Sequence, residues 1–257
     1  MIKLLVSGLA ALSLSAAATA QEKQRLYELR TYHAEAGKLD DLLKRFREHT
    51  CKLFEKHGMT NVAYFVPAEN NDNLLVYLLA YPDKEARDKS WKEFQADEEW
   101  KKVVKESEAN GKLVGKVDEL YLNPTAFSPG FDTTPAGQQA DRVFEMRTYT
   151  TTSPANLTAL HKRFKEHTME LFKQHGLTNL SYFQYVAGQP GADNTLLYFL
   201  AHKDQESATA NWAAFRADPV WVAAKKASED AAGGSLTVLP DGVKFVFLKP
   251  TDFSPVK

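Results

Sequence analysis

Two short segments put a carboxylate, a guanidinium and a phenol at alternate positions: Glu28, Arg30 and Tyr32, and again Glu145, Arg147 and Tyr149. Alternate residues of an extended strand share a face, so each trio stands on one side, opposite Tyr27, Leu29 and Thr31 in the first segment. If that side points between packed sheets, two readings compete. Buried charges must be paired, and the Glu and Arg of each trio can simply neutralise one another. Alternatively, the guanidinium holds an acidic or carbonyl group of a bound small molecule, because Arg presents a planar fork of donors.

Other candidates recur in the same paired way. His49 and His167 fall on the apolar stripe of a helix, close in angle to Phe46 and Leu53 for the first. A histidine there is a general base, an iron ligand, or a core side chain with one nitrogen hydrogen-bonded. Tyr64 and Tyr182 lie in strands, where aromatic residues line a cavity or serve packing alone. The candidate ligand-binding set is therefore Arg30, Tyr32, His49 and Tyr64, and Arg147, Tyr149, His167 and Tyr182. His57 and His175 precede a glycine at a helix end, where an imidazole can bond the last carbonyls. No HxH, HxxxH or nearby cysteine gives a metal-chelate spacing, so no metal centre is expected. There is no GxGxxG after a strand, no Walker loop and no GxSxG. Nucleotide use and serine hydrolysis are disfavoured, and no motif implies a cofactor.

The elements that position these residues are set by an internal repeat. Leu26-Tyr27-Glu28-Leu29-Arg30-Thr31-Tyr32 returns as Val143-Phe144-Glu145-Met146-Arg147-Thr148-Tyr149, and Arg45-Phe46-Arg47-Glu48-His49-Thr50 returns as Arg163-Phe164-Lys165-Glu166-His167-Thr168. Trp91, Phe94, Asp97 and Trp100 return as Trp212, Phe215, Asp218 and Trp221, and Phe127-Ser128-Pro129 returns as Phe253-Ser254-Pro255. Each copy reads β-α-β-β-α-β, the split βαβ or ferredoxin-like order of an α+β domain.

In the first copy, strands are expected at about 25–33, 60–66, 73–81 and 113–122. Leu39, Leu42, Leu43, Phe46, Leu53 and Phe54 form the stripe of a helix over about 39–57. Gly58 suits its left-handed cap. A second helical region covers about 84–109, re-capped at Asp97 because its counterpart Asp218 precedes Pro219.

Leu74 to Ala80 has no polar alternation, which predicts a strand buried on both faces. Two helices cover only one face of a four-stranded sheet, so the other face must meet the second copy. Two tandem ferredoxin-like repeats thus form a fused pseudo-dimeric α/β barrel or sandwich with helices outside. Phe127 and Phe253 are placed to latch one half onto the other.

Composition bounds the partners. Net charge is -1 with both signs interspersed, unlike the basic footprint of a nucleic-acid binder. Lys3, an apolar run from Leu4 to about Ala18, and Ala18-Thr19-Ala20 form the three-part layout of a signal peptide. The run is too short for a membrane anchor. The expected layout is a signal peptide over 1–20, a first domain over 21–122, a linker over 123–141 and a second domain over 142–257. The mature protein is expected outside the cytoplasm, periplasmic or secreted, without stable membrane insertion. Cys51 is the sole cysteine, so no internal disulfide forms.

The Tyr27–Tyr32 segment, the helix ending at His57-Gly58, the Trp91, Phe94, Asp97, Trp100 spacing and the trailing Phe-Ser-Pro together resemble the NIPSNAP family. Ala217-Asp218-Pro219-Val220-Trp221 comes nearest to that family's Asp-Pro-x-Trp. The resemblance spans nearly the whole chain, once per repeat, and implies a dimeric α/β-barrel domain but no particular reaction. Three functions fit: a small-molecule-binding protein, an enzyme, or a scaffold for a protein partner. Barrels of this broad fold include cofactor-independent oxygenases, isomerases and haem proteins. In the enzyme, His49 or His167 would serve as base or axial ligand and Arg30 or Arg147 as anion holder. The fused pair is also free to assemble into a larger homo-oligomer.

Overall fold

The computed structural model describes residues 25–131 and 142–257; the expected signal peptide and positions 132–141 of the expected linker lie outside them. The first half runs β1 (Leu26–Ala34), α1, β2 (Thr60–Pro67), β3 (Leu74–Tyr81), α2 (Lys84–Ala96), α3 (Glu98–Ser107) and β4 (Val114–Pro124). Helix α1 is built from Leu39–Arg45, a π turn Phe46–Thr50 and Cys51–Lys56. The second half repeats this as β5 (Val143–Thr150), α4, β6 (Thr178–Tyr185), β7 (Thr195–His202), α5 (Gln205–Ala217), α6 (Pro219–Ala232) and β8 (Val243–Pro250). Helix α4 has the same three parts: Pro154–Arg163, a π turn Phe164–Thr168 and Met169–Gln174.

Each half lays its strands in the ferredoxin-like order, β4-β1-β3-β2 and β8-β5-β7-β6. The halves do more than stack. Phe65, Val66 and Pro67 of β2 pair with Pro250, Lys249 and Leu248 of β8, and Leu122, Asn123 and Pro124 of β4 pair with Tyr185, Gln184 and Phe183 of β6. All eight strands join in one closed antiparallel barrel. Closure gives the open edges of each half a partner.

The barrel interior is filled by side chains from both copies, among them Tyr27, Leu29, Phe65, Leu78, Phe144 and Phe199. Phe65 and Phe144 meet across it with ring centroids 4.9 Å apart. On the outer faces, helices α1 and α2 cover Leu75, Tyr77, Leu79 and Tyr81, and α4 and α5 cover Leu196, Tyr198 and Leu200. Strand β3 is buried on both faces, as its unbroken apolar run requires.

This arrangement decides what the strand period leaves open. The inward side of β1 carries Tyr27 and Leu29, whereas Glu28, Arg30 and Tyr32 point outward beneath the helices. Pointing inward, two Glu-Arg pairs would share a dry space with no further donors. Beneath α2 the carboxylate instead finds an indole N–H and a second guanidinium, which meet its remaining lone pairs.

The π turns correct another expectation. A π turn takes up one residue more than an α turn, so the buried position after Phe46 falls on Thr50 rather than on His49. The Thr50 hydroxyl donates to the Arg45 carbonyl at 3.2 Å, and Thr168 does the same to Arg163 at 3.1 Å. His49 and His167 consequently face solvent, the His49 side chain at 46% exposure.

Asp97 does re-cap the chain between α2 and α3, accepting from the Glu99 and Trp100 amides. It also meets His57 Nε2 at 2.6 Å, and Asp218 meets His175 at 2.7 Å. These imidazoles bond the carboxylate caps of α3 and α6, not the carbonyls of their own helices.

The chain ends cross between halves. Phe127, following β4, packs on His161 and Tyr182 of the second half, and Phe253 packs on Phe46 and Tyr64 of the first. The Tyr182 amide donates to Ser128 Oγ at 2.9 Å and the Tyr64 amide to Ser254 Oγ at 3.0 Å. The expected linker therefore begins as structure: Asn123 and Pro124 belong to β4, and Phe127 is a latch.

Candidate functional site

Between the sheet and the second-region helices of each half lies a cleft floored by an arginine of the polar trio. Strand β1 or β5 supplies the arginine, and the helix that follows β3 or β7 supplies a tryptophan above it. The Arg30 guanidinium carbon stands 4.3 Å from the Trp91 ring centroid and that of Arg147 stands 4.2 Å from Trp212. Both tryptophans also donate their indole N–H to the buried glutamate, at 2.9 Å and 2.8 Å. A cation over an aromatic face is favourable, and more so where water is excluded.

In the first half the charges close on themselves. Glu28 accepts from Arg30 Nη1 at 2.6 Å, from Arg87 Nη2 at 2.7 Å and Nε at 3.1 Å, and from the Tyr81 hydroxyl at 3.0 Å. Arg30 Nη1 also lies 2.7 Å from Glu119, the residue paired with it on β4. Two guanidinium groups thus meet two carboxylates. Burial by itself would raise the Glu28 pKa, but the Arg87 bonds and the Arg30 charge prevail and hold it below the usual carboxylate value. The cleft over this set is about 350 Å³.

In the second half three substitutions open the set. Arg87 is replaced by Ala208, Tyr81 by His202, and Glu119 by Phe245, which pairs with Arg147 on β8. Glu145 retains Arg147 Nη1, the Trp212 indole and His202 Nε2, the last at 2.9 Å. Burial again works to raise the Glu145 pKa, and the His202 bond and Arg147 charge again overturn it, leaving the carboxyl lowered.

Arg147 itself has a single carboxylate partner. Its Nη2 has the Tyr149 hydroxyl at 3.5 Å, too far for a strong bond. Burial opposes its charge, but the Tyr198 and Tyr149 oxygens and Glu145 outweigh this, and it stays firmly protonated. This guanidinium, with its side chain 9% exposed, lines a cleft of about 490 Å³ together with Tyr149, Trp212, Phe215 and Trp221.

The eight sequence candidates thus separate. Arg147 and Tyr149 converge on the larger cleft, and Arg30 lines the smaller one of the first half. Tyr32 packs against Phe46 and Tyr77. Tyr64 and Tyr182 are fully buried, stacked on Tyr77 and Tyr198, and their hydroxyls donate to Asn61 and Asn179. His49 and His167 line separate surface grooves between the first helix of each half and α3 or α6. Arg87, Glu119, His202 and Phe245 were not singled out from the sequence. The one available signal was that these positions differ between copies while the Glu-x-Arg-x-Tyr trio does not.

The NIPSNAP family profile matches the chain twice, over residues 27–129 and 144–255. The chain belongs to the NIPSNAP family. An uncharacterized NIPSNAP domain protein from Burkholderia xenovorans is 23% identical, covering 40% of this chain and 98% of its own, with a TM-score of 0.36. A NIPSNAP family protein from Agrobacterium tumefaciens strain C58 is 22% identical over 41% of this chain and 97% of its own, with a TM-score of 0.37. An anthrone oxidase-like protein, 11% identical, shares the fold over 92% of this chain and 96% of its own, with a TM-score of 0.57. No curated protein matches the chain. In this tandem NIPSNAP protein the two clefts share the equivalent Arg and Trp, but the second extends along α6 whereas the first lies over α2.

Proposed function

We propose that this protein is an exported small-molecule-binding protein whose working site is the cleft of the second half, with Arg147 as the anchor for an anionic group. What supports the assignment is the contrast between equivalent arginines. Arg30 has both Glu28 and Glu119 within 2.7 Å, whereas Arg147 has Glu145 alone and opens onto the larger cleft. Arg147 is paired one to one with Glu145 but keeps its Nη2 donor without a close partner, which favours a ligand that brings an acceptor oxygen. The cleft volume falls within the range usual for small-molecule sites. Export rests on the N-terminal charge, apolar run and small-residue junction. The binding reading is preferred over the enzymatic one because His49 and His167 stand outside this cleft.

Native mass spectrometry of the protein purified from its own envelope fraction tests both parts. The expected chain begins at Gln21 and carries one small acid, which the Phe245→Glu variant does not retain. Retention of Met1 would overturn export. A ligand held equally by Phe245→Glu would overturn the Arg147 site, because that substitution gives Arg147 the carboxylate that Arg30 already has.

A further inference from the structure

The walls and rim of the second-half cleft narrow the ligand class. Trp212, Phe215 and Trp221 form a continuous aromatic wall, with ring centroids 5.6 Å apart for Trp212 and Phe215 and 4.5 Å for Phe215 and Trp221. Val222 at the mouth is 53% exposed, and Phe245, 5.0 Å from the Arg147 guanidinium carbon, is 58% exposed. Their first-half counterparts are Lys101 and Glu119, so two charged positions of one half are apolar in the other, beside a rim that otherwise carries Arg216, Lys225, Lys226, Glu229 and Asp230. Exposed apolar side chains beside a cleft are what an apolar ligand body would cover.

The charge available inside is small. Lys225 and Lys226 on the rim pair with Glu229 at 3.4 Å and Asp230 at 2.5 Å, and Arg216 is solvent-exposed, where water and salt screen it. The buried cation is Arg147 alone, already shared with Glu145. Glu145 already neutralises it, so the site offers N–H and O–H donors rather than net positive charge, which suits a single carboxylate better than a phosphate dianion. Trp212 and Phe245 rings pack on the guanidinium at 4.2 and 5.0 Å, which leaves its in-plane N–H donors to meet an anion. Nη2 and the Tyr149 hydroxyl, 3.5 Å apart, are placed as two neighbouring donors for the two oxygens of one carboxylate.

We infer that the ligand is a planar aromatic monocarboxylate of one or two fused rings, its carboxylate on Arg147 and Tyr149 and its ring against Trp212 and Trp221. The inference rests on the proposed binding site in the second half.

Isothermal titration of the full mature protein with 2-naphthoate, 2-naphthamide, octanoate and inorganic phosphate tests it. The expected result is one 2-naphthoate per chain, with 2-naphthamide and octanoate each at least tenfold weaker and phosphate not bound. Phe245→Glu, at an exposed position, should keep the thermal midpoint and weaken 2-naphthoate at least tenfold. Octanoate binding as tightly as 2-naphthoate would overturn the aromatic class and leave the anion site standing. Naphthamide binding as tightly as naphthoate, an unaffected Phe245→Glu variant, or no binding of any organic anion would overturn the class and the site together.

Discussion

Replacing Phe253 by alanine should weaken the first half of the protein, although Phe253 belongs to the second half in sequence. Its ring lies 5.3 Å from that of Tyr64, stacks on Phe46 at 6.4 Å and sits 5.7 Å from the Arg47 guanidinium carbon. Full burial of a phenylalanine makes its loss to alanine worth about 3–5 kcal/mol. Phe253 is half-buried, so the expected cost is about 2–3 kcal/mol. The backbone ties on either side, Thr251 to the Tyr64 carbonyl and Ser254 to the Tyr64 amide, should survive. Phe127→Ala should cost a similar amount in the second half, and the two sites share no partners. The double variant should therefore lose about 4–6 kcal/mol, the sum of the two. Urea unfolding read at the midpoint, with the m value unchanged, measures this. A single-variant loss under about 0.5 kcal/mol, or a double variant no worse than one single, would refute the crossed latches as a source of stability.

Further expectations concern the charges. Glu145→Gln strips Arg147 of its one carboxylate and should cost about 3–5 kcal/mol. The Glu145 pKa is lowered in the fold, so its contribution is complete above the unfolded value of about 4.3 and fades as pH falls through the folded value. The gap between wild type and Glu145→Gln should shrink below about pH 4; a gap constant down to pH 2 would contradict this. His49→Ala and His167→Ala should each change stability by no more than about 0.5 kcal/mol, because both side chains face solvent, and a loss of several kcal/mol would return them to the core. Burial pushes the Cys51 thiol up to about 12, so a thiol reagent at pH 8 should label it only as the protein opens; labelling at the rate of a free thiol would refute that.

Much of this was legible in the chain. The repeat fixed two β-α-β-β-α-β units, and the apolar run at Leu74–Ala80 required a second layer against each sheet. Asp97 and Asp218 announced their caps, and the two Phe-Ser-Pro tails announced latches. Such features follow from local periodicity and from residue types with one dominant role.

Tertiary structure alone decided the rest, because three facts depend on relations between distant segments. Whether the sheets stack or close into a barrel turns on the β2–β8 and β4–β6 pairings, each only three residues long. Period two places Glu28, Arg30 and Tyr32 on one face of β1 but leaves open which face looks inward. Helical spacing put His49 near the stripe, and a π turn then shifted the phase and buried Thr50 instead. The difference between the halves is of the same kind. Arg30 and Arg147 sit in near-identical segments, and what separates an arginine with two carboxylate neighbours from one with a single carboxylate is a residue about 90 or more positions away, Glu119 or Phe245. A charge pair depends on distance in space, and sequence separation says nothing about it until the sheet brings the strands together.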